Sequence, residues 1–212
     1  MFHYPGLLPI PFQPRARFPW LDAIEAGTDA IRAEFLQVHA ADRGFTPYLS
    51  YPPDMPHNQF AELNNSQRWS AFHLIADGKP VPEHAARCPE TMRLLAGAPQ
   101  PDQPGRTPSA MFSLLAPRTR IPPHVGVSNV RLVTHLPLII PGHCGFRVGN
   151  VVTNANPLLA PERLTSFEAG VLLGTGRASA RVTAFYNVLD DARISRRHAV
   201  LLSLLRVPHL VL

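Results

Sequence analysis

The chain has 212 residues, 45% of them hydrophobic and 17% charged, which predicts one globular domain with a sizeable core and excludes disorder as its default state. Its net charge of +5 comes almost wholly from scattered arginines, since Lys79 is the only lysine. Because no basic stripe with interleaved aromatic residues occurs, nucleic acid is not an expected partner.

The first residues of the chain indicate a cytoplasmic protein, and in a reducing cytoplasm the two cysteines are expected as thiols. Cys88 and Cys144 are far apart in sequence, which predicts two buried thiols rather than a metal pair or a disulfide. The segment 1–6 lacks the basic and apolar regions of a signal peptide, and no apolar run approaches the ~20 residues that span a bilayer. We therefore expect a cytoplasmic location and no membrane span.

Two amphipathic helices are predicted in the first half of the chain. Hydrophobic residues recur at helical spacing over 18–36, where Gly27 is the one weak point. A second helix is predicted over 82–95, and the residues expected to face solvent on it are Glu90, Thr91 and Arg93.

Short strands account for much of the remaining chain. One is predicted over 69–75, ended by a turn at Asp77-Gly78, and another over 110–116 after a loop rich in Pro and Gly. The later predicted strands are 167–173, 181–189 and 198–207, with a turn at 174–176.

The segment 121–141 has the most informative pattern. Apolar and polar residues alternate between His124 and His135, and Arg131 lies in the same run, which predicts a buried strand lining a small barrel or sandwich. A buried imidazole needs a hydrogen-bond partner or a metal, and for a lone histidine the hydrogen-bonded core position is the commoner outcome. The two histidines lie an odd number of positions apart, so a turn within 125–128 is expected if both are to face one site.

This segment resembles the motif of the aspartyl/asparaginyl β-hydroxylase family, a branch of the iron(II)- and 2-oxoglutarate-dependent dioxygenases. The matching elements are His124-Val-Gly126, Asn129-Val-Arg131-Leu132, His135-Leu-Pro-Leu138, Pro141 and Cys144-Gly-Phe-Arg147. Upstream, the family's spacing is matched by Trp69-x-x-Phe72, Phe112-Ser113 and Pro117-x-Thr119. The resemblance covers the chain from about Tyr48 to Asn150.

The resemblance and the predicted strands together imply a mainly β fold. This fold is a double-stranded β-helix, or jelly roll, with N-terminal helices packed outside. Residues 1–212 would form one domain, with a helical flank over 1–47 and a β-barrel core over 48–212.

The resemblance also implies a site for Fe(II) and for 2-oxoglutarate as cosubstrate. His124 matches the first iron ligand, and Gly126 stands where most such dioxygenases carry a carboxylate ligand, a trait that this family shares. His135 and Ser113 match residues that contact 2-oxoglutarate, although a strand serine is equally often an ordinary hydroxyl. Arg131 matches a motif arginine, whereas some relatives carry a second arginine where this chain has Val133.

The second iron histidine of the family has no direct match. Alignment on the pair Asp190-Asp191 puts Ser195 in the histidine position. His198, three positions later, is the candidate ligand, and a strand-start residue among arginines is the alternative interpretation. Arg197 matches the arginine that holds the 2-oxoglutarate carboxylate, since a guanidinium binds a carboxylate bidentately, and Arg196 is the second choice.

Two functions follow as hypotheses. The first is an iron(II)- and 2-oxoglutarate-dependent dioxygenase that uses molecular oxygen to hydroxylate an unactivated carbon of an aspartyl/asparaginyl or related substrate, small molecule, peptide or protein. The second is a catalytically impaired jelly-roll protein of the same family that acts as a binding or structural module. The intact block from His124 to Arg147 favours the first, and the unmatched second histidine favours the second.

Overall fold

The structure is a computed structural model of the chain. It describes backbone and side chains up to Val151 and backbone alone in later segments. The described residues are 5–7, 10–41, 43–54, 59–100, 105, 107–124, 131–140, 144–149, 151–154, 164–175, 178–189 and 199–206.

The described residues form a mainly β structure with helices in the first half of the chain. The helices are α1 (Leu21–Ala26), α2 (Thr28–Ala40), α3 (Pro82–Ala85) and α4 (Pro89–Ala96). The strands are β1 (Thr46–Pro47), β2 (Trp69–Ala76), β3 (Lys79–Pro80), β4 (Ser109–Leu115), β5 (Leu132–Ile139), β6 (Gly145–Val148), β7 (Val151–Asn154), β8 (Leu164–Thr175), β9 (Ala178–Leu189) and β10 (Ala199–Arg206). This composition confirms the predicted mainly β class.

The predicted first helix is divided at Gly27 into α1 and α2. Apart from proline, glycine is the least favourable residue in a helix interior. Gly27 also permits close packing, because a Cβ there would lie 2.3 Å from Leu94 Cδ1 of α4. The predicted apolar face is confirmed, since Ile31 and Phe35 of α2 are fully buried.

The predicted second helix is likewise two helices, α3 and α4, and each has a proline in its first turn. Pro89 has no N–H to donate, so α3 cannot continue through it. The expectation that Thr91 faces solvent is wrong, because its side chain is fully buried. Glu34 of α2 accepts hydrogen bonds from the backbone N–H groups of Glu90 and Thr91 at 2.7 and 2.8 Å and from Thr91 Oγ1 at 2.6 Å.

The main sheet is antiparallel and has β10 near its centre. The strand order is β1-β2-β4-β10-β5, and β3 pairs with β2. On one side of β10, Leu201 pairs with Ser113 of β4, and on the other, Ser203 pairs with His135 of β5. The strand predicted from the end of the sequence therefore joins the strands of two expected site residues.

The main sheet has one face covered by helices. Phe72 of β2 and Phe112 of β4 pair across the strands and are fully buried, and the Phe35 ring of α2 lies 5.4 Å from the Phe112 ring between centroids. Arg32 of α2 donates from Nε to the carbonyl oxygen of Leu138 in β5 at 2.7 Å. Packing and a hydrogen bond thus hold α2 on this face.

The opposite face is open at β4 and β5 among the described side chains, whereas at β2 its residues Trp69 and Ala71 are buried. Buried residues in β4 alternate with half-buried ones, and in β5 half-buried residues alternate with exposed ones, as expected for a sheet covered on one side. We call this side the open face; the members used below are Trp69, Met111, Ser113, Val133 and His135.

Two hairpins form separate two-stranded sheets that do not pair with the main sheet among the described residues. β6 pairs with β7. β8 pairs with β9 over the full length of both strands, from the pair Leu164–Leu189 to the pair Thr175–Ala178. The two strands predicted at 167–173 and 181–189 are confirmed, but the turn predicted from residue 174 is wrong at Gly174 and Thr175, which still belong to β8.

The main sheet is open in the described part of the chain. Its edges, β1 with β3 on one side and β5 on the other, do not join there. The double-stranded β-helix and the single-domain arrangement therefore stay predictions. A search of the described helices finds none with the length and apolarity needed to cross a membrane.

Candidate active site

Ser113 and His135 lie on the same face of the main sheet. Ser113 pairs with Leu201 and His135 with Ser203, and positions two apart on β10 share a face with each other and with their partners. The strand between them separates the two residues by roughly 10 Å across the sheet. The two residues expected to contact 2-oxoglutarate thus face the same side, on strands that are not neighbours.

His124 lies in an irregular segment after β4, not on a strand. The preceding residues Pro122 and Pro123 have no N–H for a ladder, which accounts for the difference from the predicted strand. Gln59 holds this segment by donating from Nε2 to the carbonyl oxygen of Pro123 at 3.2 Å. His124 is exposed, and its ring makes a T-shaped contact with the Phe60 ring at 5.3 Å between centroids. The expectation that this residue faces inward on a barrel strand is therefore wrong.

The imidazole of His124 has a defined partner at one nitrogen. Nδ1 lies 2.9 Å from the carbonyl oxygen of Pro122, which can only accept, so this geometry assigns the ring proton of the neutral imidazole to Nδ1. Nε2 then carries the lone pair. A histidine held in this way has Nε2 as the nitrogen that can accept a hydrogen bond or bind a metal.

Trp69 connects His124 to Ser113. Its indole Nε1 donates to Ser113 Oγ at 3.1 Å, and its ring centroid lies 6.5 Å from that of His124. Tyr48 stacks on the indole at 4.1 Å with an interplanar angle of 22°. The first expected iron ligand and the expected cosubstrate serine therefore meet at one aromatic side chain.

Arg131 lies on the same side as this aromatic group. It immediately precedes β5 and is half-buried. Burial raises the pKa of the Tyr48 phenol, and the nearby positive charge of Arg131 opposes that rise. Arg131 thus contributes positive charge beside the stacked rings.

His135 lies on the open face beside Phe146. Water reaches its ring, yet desolvation lowers the pKa of the imidazole to about 4, and the Phe146 ring meets it edge-on at 5.1 Å. The neighbouring Val133 is 48% exposed, so the prediction of a buried strand is wrong for this face of β5.

Several expected site residues lie outside the described residues. They are Gly126 and the turn 125–128, Ser195, Arg196, Arg197 and His198. Within the described residues, no cluster of three or more His, Cys, Asp or Glu side chains suited to a metal occurs. His124 is thus the expected iron ligand whose surroundings the structure shows. The thiols are partly as expected: Cys88 is buried, while Cys144 is half-exposed.

No pattern in the sequence predicts a site role for Tyr48, Phe60 or the indole N–H of Trp69. Tyr48 belongs to a stretch rich in Pro and aromatic residues, and that composition was the available signal. Stacking and hydrogen bonding between strands distant in sequence leave no periodic pattern, so this signal predicts no role for a particular ring.

Comparison with protein families places most of the chain in one of them. The model of the aspartyl/asparaginyl β-hydroxylase family matches residues 25–156, more than half of the chain. The match includes α2, the segment of His124 and strands β1 to β7, and it ends before residues 157–212.

Individual relatives agree with this match. The chain is 29% identical over 150 residues, 70% of its length, to the aspartate beta-hydroxylase domain-containing protein 2 of Xenopus tropicalis, of which it covers 38%. It is 31% identical over 131 residues, 62% of its length, to the ornithine lipid ester-linked acyl 2-hydroxylase of Rhizobium tropici, of which it covers 43%. The chain thus spans less than half the length of each of these relatives. Together with the motif around His124, these matches show that the chain belongs to the aspartyl/asparaginyl β-hydroxylase family.

Proposed function

We propose that the protein is an iron(II)- and 2-oxoglutarate-dependent dioxygenase that hydroxylates an unactivated carbon. The observation that carries the proposal is the meeting of His124 and Ser113 at Trp69, because two residue types required for different ligands share one small site. Family membership supports a hydroxylase.

The surroundings of His124 fit an iron ligand. Its Nδ1 faces the Pro122 carbonyl, which leaves Nε2 as the nitrogen with the lone pair, and the residue is exposed. A bound Fe(II) would supply a coordination site for the 2-oxo acid and for oxygen. The role of His124 is to hold the metal through neutral Nε2, with its ring fixed by Pro122 and Phe60.

We propose His198 as the second ligand because it immediately precedes β10, whose first residue lies near the Trp69 end of β2. Ala199, the first residue of β10, pairs with Leu115, and Leu115 pairs with Trp69. His198 is the residue before this paired end, and the Trp69 ring contacts His124. In this proposal His198 is the partner of His124, and the double-stranded β-helix is the fold that would bring them to one metal.

The open face supplies groups for 2-oxoglutarate. The Ser113 hydroxyl and the imidazole of His135, neutral because its pKa is about 4, each donate one hydrogen bond to a carboxylate. Arg197 is the proposed bidentate partner of the distal carboxylate, and Arg131 adds positive charge beside Tyr48. In this arrangement the protein orients an anion on the open face and keeps it against the metal.

For the substrate we propose an aspartyl or asparaginyl side chain or a related group. The family's name supports this class. The name of the Rhizobium relative, an acyl 2-hydroxylase of an ornithine lipid, extends the candidates to acyl chains. The class of substrate is decided by which one raises 2-oxoglutarate consumption above its substrate-free rate.

A catalytically impaired protein is the second candidate, favoured by the end of the family match at residue 156. The test compares Fe(II) affinity and succinate formation in His198→Ala, Ser195→His and the parent chain. We expect His198→Ala to lose both and the parent to have both. Succinate formation absent from the parent but present in Ser195→His would instead establish the impaired protein.

A further inference from the structure

We propose that Trp69 is a positioning residue that directs the hydroxyl hydrogen of Ser113 toward the carboxylate of the cosubstrate. The inference deepens the proposed function and rests on it. It starts from the hydrogen bond between Trp69 Nε1 and Ser113 Oγ, which joins β2 to β4. Ser113 pairs with Ala71, two residues from Trp69, so the two side chains are diagonal neighbours on one face.

The direction of this hydrogen bond fixes what the serine can do. An indole N–H only donates, so Ser113 Oγ must be the acceptor. The hydroxyl hydrogen then points away from the indole, toward another acceptor. A hydroxyl group whose oxygen accepts one hydrogen bond is polarised, so its O–H donates more strongly to the next acceptor. This favours an anionic acceptor on the open face.

The indole itself is held in place on several sides. Tyr48 stacks on it at 4.1 Å, and the backbone N–H of Tyr48 donates to the Trp69 carbonyl oxygen at 2.9 Å. Phe60 and His124 lie at 6.5 Å between ring centroids, and Trp69 is only 7% exposed. The ring therefore has little freedom to withdraw its N–H from Ser113.

The test removes the N–H and keeps the ring. Trp69→Phe is the simple variant, and site-specific replacement of Trp69 by benzothienylalanine, which has sulfur in place of the N–H, keeps the bicyclic shape. We expect each to weaken 2-oxoglutarate binding roughly three- to tenfold, as for the loss of one hydrogen bond. The same changes in a Ser113→Ala background should add no further loss, because the hydroxyl that they misdirect is absent.

Trp20→Phe is the matched control, because Trp20, the other tryptophan, packs against the helical core. It should leave 2-oxoglutarate affinity unchanged. In steady-state kinetics, KM for 2-oxoglutarate should rise in the Trp69 variants with little change in kcat, whereas a fold defect lowers kcat and the melting temperature.

Equal losses in the parent and Ser113→Ala backgrounds would show that the ring acts by packing and would overturn the inference. Unchanged binding in the benzothienylalanine protein would overturn it as well. Both outcomes leave the proposed function intact. Absence of any 2-oxoglutarate binding by the parent protein would contradict the proposed function and the inference together.

Discussion

At the scale of single residues, His124 combines a fixed orientation with an exposed ring. Its Nδ1 is engaged by the Pro122 carbonyl, and little of the core depends on its side chain. We predict that His124→Ala lowers Fe(II) affinity by more than about tenfold, since losing even an outer-shell partner of a ligand costs that much. The change in melting temperature should be small. Anaerobic calorimetric titration measures the affinity, with His39→Gln, on α2, as the control that retains it.

The desolvated imidazole of His135 makes stability depend on pH. Its pKa falls from 6.5 to about 4 on folding, so between these values the unfolded chain binds more protons than the folded one. The contribution to stability is complete above pH 6.5 and is lost as pH falls through about 4. We predict that His135→Gln reduces the fall in unfolding free energy over this window.

Urea denaturation between neutral and acidic pH checks this effect. His73, also with a lowered pKa caused mainly by burial, adds a dependence of the same sign, so His73→Gln is measured in parallel. Identical pH profiles for the parent and His135→Gln would refute the assignment of a desolvated ring.

Among the helices, Glu34 of α2 accepts hydrogen bonds that connect α2 to α4. Its carboxylate accepts two backbone N–H groups from the first turn of α4 and the hydroxyl of Thr91, which is fully buried. We predict that Glu34→Gln lowers the unfolding free energy by about 2 kcal/mol, because charge-assisted acceptors are lost to buried donors. Chemical denaturation measures it. Glu90→Gln, which removes only a solvent-exposed pair with Arg93, should change stability little.

Helix ends and strand periodicity differed in how well the sequence predicted them. The strand predicted over 110–116 and the apolar stripe of α2 depend on local sequence, and both predictions were confirmed. The burial of Thr91 depends on a carboxylate 57 positions away, and no periodicity of α4 signals such a partner. Gly27 and Pro89 were visible in the sequence, but their effect depended on which neighbours packed against them.

The candidate site was predictable only where residue identity sufficed. Ser113 and His135 occur on strands at the predicted positions, because alternation fixes which residues share a face. His124 was expected on a strand, but Pro122 and Pro123 remove ladder donors ahead of it. Motif spacing indicates that a residue belongs to a site. It does not predict the exposure of that residue, which depends on whether the surrounding segment is a strand or irregular.

In the whole molecule, β10 is the strand that connects β4 and β5 in the main sheet. It lies after residue 156, where the match to the family model ends. It pairs with both β4 and β5, whereas β8 and β9 pair with each other in the described structure. We predict that truncation before β10, after residue 198, abolishes cooperative unfolding, because β4 and β5 lose their shared partner. Replacing residues 164–189 by a short Gly/Ser linker should preserve it. Circular dichroism during thermal unfolding separates the two results, and a cooperative transition in the truncated chain would contradict this role.

Succinate formation tests whether the protein is an iron- and 2-oxoglutarate-dependent oxygenase whose metal is held by His124. The measurement follows conversion of 2-oxoglutarate to succinate by the purified parent chain, with Fe(II) and oxygen present or individually withheld, beside His124→Ala. We expect succinate only when metal and oxygen are both present, and we expect none from His124→Ala. Succinate formation that persists without iron or in His124→Ala, or that is absent from the parent under all conditions, would contradict it.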